Sequence, residues 1–386
     1  MNYFMDPRDD LDLGKSAARL ATMFAEQRPT RSRLPALALC WALIAATAAG
    51  CGVAEQGPPD DTCAGPGCGL SAQSGLSLSG AKLTTSHLCD MPPPAGATVA
   101  PAPPVYKGTC PHLVPGKNTI WTSLFPRSFQ LVVPSHLDAM EKLPVIFLWH
   151  WLGGSADEFI RKGEVQNAVD SQRFLAIVPE AKFDMIFKWP FDVGVSAARQ
   201  EEEYRFFDDM LACAAAQFNI NNNCVASAGV SAGALFTDQL AGARSQYLSS
   251  ALSLSGGVGG GVKPWGKPAH KLPMIVLWGG PTDNCLGVIR FNVISKTLED
   301  ELTRDGHFMV ECVHNCGHAE PPFETPAMLS KYAGLWDFVL DHPFWLKAGE
   351  SPYKTSGLPS DMPPFCAIGA GSATPRTGVC PDKPGC

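Results

Sequence analysis

The pentapeptide Gly229-Val230-Ser231-Ala232-Gly233 lies inside "NCVASAGVSAGALFTDQLAGA". An apolar, strand-like run precedes it and a helical pattern follows. A serine with glycine two residues before and two after, at a strand-to-helix turn, is the pattern of a nucleophile elbow. The turn is so tight that Cβ atoms at the glycine positions would collide. The helix N-terminus behind the serine favours negative charge developing there. A hydroxyl in this setting needs a base to take its proton, and the base needs an acid to orient it.

Five histidines follow Ser231: His270, His307, His314, His318 and His342. His270 precedes the apolar run "LPMIVLWGG" and so belongs to the wrong end of a strand. His307 opens the run "HFMVECV", His314 sits where that run ends, and His342 follows the last helical pattern. His318 comes just past the strand, behind "NCG", where an imidazole can swing over a sheet edge. Among the acids, Asp283 follows "MIVLWGG" in the turn "GGPTDNC", whereas Asp300 and Asp305 belong to a charged helix. Ser231, Asp283 and His318 thus all fall on loops after strands, and this convergence marks them as nucleophile, acid and base.

Two backbone N–H groups must receive the oxyanion. One is expected from Ala232, the other from "LWHWLGGSADEF" at Leu152, with Trp151 as the alternative. Trp149 lies in a strand and reads as core. Trp151, Trp189 and Trp265 lie in loops, as candidates for an aromatic surface facing the substrate. The run "SGGVGGGV" (255–262) lacks the Lys-Ser/Thr ending of a phosphate loop and reads as a flexible loop beside the site.

"CVHNCGH" offers a competing chemistry, since Cys312, His314, Cys316 and His318 are all residue types that bind zinc. The spacing opposes it. In an extended strand, alternate residues stand ~6–7 Å apart in a row, whereas structural zinc sites separate paired cysteines by about two to four residues. Cys312 and Cys316 are therefore expected in disulfides, to Cys285 or to the tail, steadying the turn that presents His318. His314 reads as a bystander, and neither a metal nor an organic cofactor is expected.

These residues need a scaffold. Seven apolar runs, "FQLVVP", "LPVIFLWH", "FLAIVPE", "NCVASAGVS", "SSALSLSG", "LPMIVLWGG" and "HFMVECV", read as buried strands. Helical patterns separate most of them. "SADEFIRKGEVQNAV" opens with Ser155 and Glu158 at capping-box spacing, and "EEEYRFFDDMLACAAAQF" aligns Tyr204, Phe207, Leu211, Ala214 and Phe218 on one face. "ISKTLEDELTRDG" stops at Gly306. The alternation predicts one α/β domain over 119–348, a mostly parallel sheet with helices on both faces.

The flanks differ in composition. Residues 52–118 and 349–386 are rich in Pro and Gly, and read as a disordered tether and a disulfide-stapled tail. Residues 1–51 read as a bacterial-type signal segment. "RPTRSRLPALALCWALIAATAAGC" has a basic stretch, an apolar run and small residues before Cys51, with translation starting at Met23. "AAGC" resembles a lipoprotein signal with Cys51 as the lipidated residue, although Ala48 replaces the usual leucine; a plain secretory signal is the alternative. Setting aside Cys40 and Cys51 leaves twelve of the 14 cysteines, an even number suited to disulfides in an exported chain. Close pairs such as Cys63/Cys68, Cys213/Cys224 and Cys380/Cys386 are the simplest pairings. A net charge of −7 over 386 residues offers no basic footprint, so no nucleic-acid partner is expected, and the membrane enters only through the lipid anchor.

Over roughly 125–345 the sequence resembles the α/β-hydrolase superfamily. It is most similar to extracellular esterases grouped with polyhydroxybutyrate depolymerases and feruloyl or acetylxylan esterases. "HWLGG" stands where those proteins have HG-x-x-G, "GVSAG" where they have G-x-S-A/N-G, "GGPTD" where they have a HGTAD-like turn, and "NCGH" where they have GxGH. Trp151 departs from the family's glycine. The resemblance implies a single α/β-hydrolase domain with Ser231, Asp283 and His318 as the triad. It also implies an ester as substrate, on a polyester or a plant or polysaccharide-linked ester, and an exported or surface-anchored location. Two other readings stand beside it: a catalytically silent surface-binding lipoprotein on the same fold, and a metal-binding protein built on the Cys/His cluster.

Overall fold

The computed structural model describes residues 86–285 and 287–382. Cys51, Met23 and the proposed Cys63/Cys68 pair lie outside these residues, as does Cys386. A nine-stranded sheet runs in the order β1-β2-β4-β3-β5-β6-β7-β8-β9. Its strands are β1 (Gly116–Thr122), β2 (Phe125–Val132), β3 (Leu143–Trp149), β4 (Leu175–Pro179), β5 (Ile220–Val230), β6 (Ser250–Leu254), β7 (Met274–Trp278), β8 (Met309–Val313) and β9 (Cys366–Ile368). From β4 through β8 all neighbours are parallel; β1, β2 and β9 join antiparallel at the two edges.

The helices are α1 (Ala156–Lys162), α2 (Val165–Gln172), α3 (Ala197–Gln217), α4 (Ala232–Arg244), α5 (Phe291–Asp305), α6 (Ala333–Leu340) and the short α7 (Tyr353–Ser356). Strand β3 shows why its sequence is apolar throughout. Val145, Phe147 and Trp149 face one core with Phe207 of α3, Phe236 of α4 and Leu298 of α5. Ile146 and Leu148 face a second core with Phe159 of α1, Val169 of α2 and Trp336 of α6. A strand covered on both faces has no polar side to alternate with.

All seven runs read as strands form strands, and two further strands join them. Strand β1 pairs with β2 through a two-residue turn at Ser123 and Leu124, both at positive φ (48° and 71°). That backbone suits the twist of a hairpin, but neither residue is the usual Asn or Gly, so the sequence carried no turn signal. The helical pattern after Ser155 divides into α1 and α2 at Gly163–Glu164, where Glu164 takes a left-handed backbone (φ 48°). At its start the Ser155 hydroxyl accepts from Glu158 N at 3.2 Å, and Gly306 closes α5 at φ 78°.

The N-terminal flank departs most from expectation, whereas the tail is disulfide-stapled as expected. Residues 86–118 of the expected tether are fastened to the domain by Cys89–Cys224 and Cys110–Cys213. Asn221 Nδ2 donates to Cys89 O at 2.8 Å, and Leu113 N donates to Gln217 Oε1 at 2.9 Å. Long-range covalent bonds replace the apolar burial that the composition lacks. The expected Cys213/Cys224 pair is therefore wrong, and so is Cys380/Cys386, because Cys380 bonds Cys316. The tail adds β9 to β8, locked by Cys312–Cys366. Among the described residues no helix is long and apolar enough to cross a membrane.

Candidate active site

Strand β5 ends at Val230 and α4 begins at Ala232, so Ser231 alone makes the turn, at φ 56° and ψ −119°. A non-glycine residue rarely holds such a backbone without a structural reason. Ser231 N donates to Leu254 O at 2.9 Å, and Leu235 N donates to Ser231 O at 2.9 Å. The glycines are obligatory. A Cβ on Gly229 would lie 2.2 Å from Gly233 O, and one on Gly233 would lie 2.0 Å from Trp149 O.

Asp283 and His318 arrive on the loops after β7 and β8. These loops touch at two glycines: Gly317 N donates to Gly279 O at 2.9 Å, and a Cβ on Gly279 would lie 1.9 Å from Gly317 O. Cys316, bonded to Cys380, ties the second loop to the tail. Cys285, two residues past Asp283, is also disulfide-bonded. The His318 ring stacks on Phe291, the first residue of α5, with centroids 4.2 Å apart.

The structure brings the three side chains together. His318 Nδ1 lies 2.7 Å from Asp283 Oδ1, and His318 Nε2 lies 2.8 Å from Ser231 Oγ. With Nδ1 protonated, the imidazole donates to the carboxylate and accepts from the serine hydroxyl. Asp283 is fully buried, and its other oxygen accepts from Gly279 N at 2.7 Å and from the Ser255 hydroxyl at 2.9 Å. Both carboxylate oxygens are thus hydrogen-bonded away from water. Chemically, the arrangement is a hydroxyl hydrogen-bonded to a base whose tautomer a buried acid fixes.

Ala232 opens α4 beside the end of β3, since Gly233 packs against the carbonyls of Trp149 and His150. Trp151 and Leu152 follow β3 in a turn closed by Gly154 N donating to Trp151 O at 3.0 Å. His150, directly after β3, pins this turn. Its Nε2 accepts from Ala181 N at 3.3 Å, so its Nδ1–H donates to Trp151 O at 2.9 Å. Burial lowers its pKa, which keeps the ring neutral and that tautomer in place.

Two of the three loop tryptophans are not where an aromatic platform needs them. Trp189 is fully buried: it packs edge-on to Trp149, and its Nε1 donates to His150 O at 2.8 Å. The loop after β4 turns inward there because an aromatic pocket of Trp149 and Phe236 receives the ring. Trp265 lies at the opposite edge of the sheet, its Nε1 donating to Asp305 at 3.2 Å and its ring against His307, just before β8 begins. Trp151 stays half-buried, its ring 6.1 Å from that of Phe159 and Lys162 over its face.

The zinc reading loses its ligands, since Cys312 and Cys316 are both oxidised in disulfides. His314 is buried and accepts from Cys316 N at 3.2 Å, and burial lowers its pKa to about 4. Among the described residues no group of three or more His, Cys, Asp and Glu side chains is placed to hold a metal ion.

No protein-family model matches this sequence, and no curated protein matches it. Solved structures do match its architecture. A native sOPH structure superposes with a TM-score of 0.55 at 17% identity, covering 68% of this chain and 98% of that one. Native pOPH gives 0.53 at 16% identity, over 68% and 97% of the two chains. A complex of a pOPH variant with pNPB gives 0.53 at 15% identity, over 69% and 97%. The fold is the α/β-hydrolase fold. This chain carries an antiparallel edge strand β9 and disulfide-held flanks. In an α/β-hydrolase fold, the loops beyond the carboxyl ends of the parallel strands are where a site is built. Ser231, Asp283 and His318 all lie there. Ser255, Gly279 and Phe291 were not singled out as site residues by sequence reasoning; the placement of Ser255 and Gly279 directly after apolar runs was the available signal.

Proposed function

We propose that this protein is a serine hydrolase of carboxylic esters acting through an acyl-enzyme. The observation carrying this reading is the continuous hydrogen-bonded chain from Ser231 through His318 to Asp283, at 2.8 and 2.7 Å. Ser231 attacks the ester carbonyl while His318 takes its proton. Asp283 holds the ring so that Nε2 faces the serine, and it stabilises the imidazolium that forms. The amides of Ala232 and of Leu152, with Trp151 as the alternative, receive the oxyanion. Protonated His318 then gives its proton to the departing alkoxide. Water, deprotonated by His318, attacks the acyl group, and Ser231 recovers its proton as the acid leaves.

The compartment proposed is an oxidising one outside the cytoplasm. The disulfides Cys89–Cys224, Cys110–Cys213, Cys312–Cys366 and Cys316–Cys380 support it. Anchoring through Cys51 is part of the same proposal and concerns residues outside those described. A panel of acyl esters, from acetyl to aromatic and polymeric, assayed on wild type and Ser231→Ala tests the reading. Turnover of at least one ester that falls ~10³-fold or more in the variant supports it. Equal turnover by the two proteins overturns it.

A further inference from the structure

Ser255, whose hydroxyl contacts Asp283 of the Ser231–His318–Asp283 chain, holds a backbone that a serine disfavours. It follows β6 at φ 53°, in the left-handed region, and is not a glycine. Its N–H donates to Leu277 O at 2.6 Å, and its hydroxyl donates to Asp283 Oδ2 at 2.9 Å. The two Asp283 oxygens therefore divide their work: Oδ1 takes the imidazole, while Oδ2 takes Ser255 and Gly279 N.

The loop carrying Ser255 is held from the nucleophile's own helix. Asp238, on α4 and fully buried, accepts from Gly257 N at 2.6 Å and from the Ser253 hydroxyl at 2.9 Å. From the other side Ser295 of α5 donates to Gly256 O at 2.9 Å, and Val258 N donates to Ile294 O at 3.1 Å. There is no slack. A Cβ on Gly257 would lie 2.3 Å from the Ile294 carbonyl carbon, and one on Gly256 would lie 2.1 Å from Ser253 Oγ. Left-handed backbone at a serine costs free energy that a glycine in its place would not. What the serine provides in exchange is the hydroxyl on Asp283.

We propose that Ser255 is a positioning residue for the hydrolytic site, whose hydroxyl fixes the rotation of the Asp283 carboxylate and draws off part of its charge, so setting the orientation and basicity of His318. The inference rests on the proposed triad chemistry. The Ser255 hydroxyl hydrogen-bonds Asp283 and would act through it. Without its hydroxyl, Oδ2 keeps Gly279 N alone. The carboxylate then turns more freely and attracts the imidazolium more strongly, which moves the His318 titration upward. Besides Asp283, His314 faces His318, and burial lowers its ring to about 4.

The experiment uses two variants of the full chain, Ser255→Gly and Ser255→Ala, with histidine-labelled NMR titration and ester kinetics. Glycine suits φ 53° without strain, so the first variant removes the hydroxyl while easing the fold. The expected result is the same in both: the His318 titration rises by ~0.5 unit or more, and kcat falls ~10-fold with KM within about twofold. An unchanged titration in both variants overturns the proposal. So does loss of activity in the alanine variant alone, which would assign the effect to backbone conformation. Failure of a fluorophosphonate to label wild-type Ser231 would sink the hydrolase reading separately, because the NMR titration decides the Ser255 contact without turnover.

Discussion

Gly233 and the carbonyl of Trp149 leave no room between them: a Cβ on Gly233 would lie 2.0 Å from that oxygen. The first turn of α4 is thereby pressed onto the end of β3, which joins the serine turn to the loop of Trp151 and Leu152. Gly233→Ala must push the two apart or fail to fold. Overpacking against backbone costs ~1–3 kcal/mol or more. Urea denaturation should show at least that loss, and esterase turnover per folded molecule should drop as well. A Gly233→Ala protein with wild-type stability and turnover would show that the two loops are not coupled.

Arg127 of β2 and Glu203 of α3 form a buried two-pronged pair, with both N···O distances 2.6 Å, and Arg199 adds a third contact to Glu203 at 3.0 Å. Both side chains lie on the face that holds the antiparallel edge of the sheet against α3. Glu203→Gln leaves the Arg127 charge buried with a neutral partner. Breaking a buried pair in this way costs ~3–5 kcal/mol. The denaturation midpoint should fall accordingly, while the fluorophosphonate reactivity of the remaining folded protein should not change.

The Cys316–Cys380 bond ties the tail to the loop of His318, two residues away. Replacing both cysteines by serine removes the bond without leaving a free thiol. A closed loop of this length is worth ~2–4 kcal/mol through the unfolded chain. The melting temperature should drop, and kcat should fall more than KM rises because the imidazole's turn is loosened. Unaltered kcat would show that the glycine contact between Gly317 and Gly279 suffices to hold that turn.

The pH dependence of stability has two opposed parts. Burial lowers His270, His314 and His342 to about 4, from an ordinary value of 6.5. Between those values the unfolded chain binds more protons, so stability falls as pH drops from about 6.5 towards 4. Burial raises Asp238 to about 8 from 3.8, and there the unfolded chain binds fewer protons. Its contribution is present in full below about 4 and lost as pH rises towards 8. Asp238→Asn should therefore gain on wild type as pH rises across that window, measured by urea denaturation at pH 5 and pH 8. A difference between the two proteins that does not change with pH would contradict the buried-acid account.

The legibility of this chain followed burial. Strands β3 to β8 could be read because both faces are covered, which makes them apolar runs between turns. The loops carrying Ser231, Asp283 and His318 could be placed because each directly follows such a run. Strand β1 escaped notice: its buried and exposed residues alternate, and its turn at Ser123–Leu124 has neither the Asn nor the Gly of a usual tight hairpin. The N-terminal flank misled for a different reason. Pro-rich composition argues against folding alone, but Cys89–Cys224 and Cys110–Cys213 span 135 and 103 residues, and no local pattern encodes such pairings. Trp189 and Trp265 show the same limit for side chains. Placement in a loop says nothing about which way the loop turns, and one ring went into the core while the other went to the far edge.

Ser231 is proposed to be a nucleophile activated through His318 by Asp283. The most direct test is covalent labelling of the folded, disulfide-intact protein with a fluorophosphonate, followed by peptide mass spectrometry. One adduct is expected, on Ser231, forming in wild type and lost or slowed ~10³-fold or more in His318→Ala. Intact protein that stays unlabelled at Ser231, or that labels equally fast without His318, would contradict it.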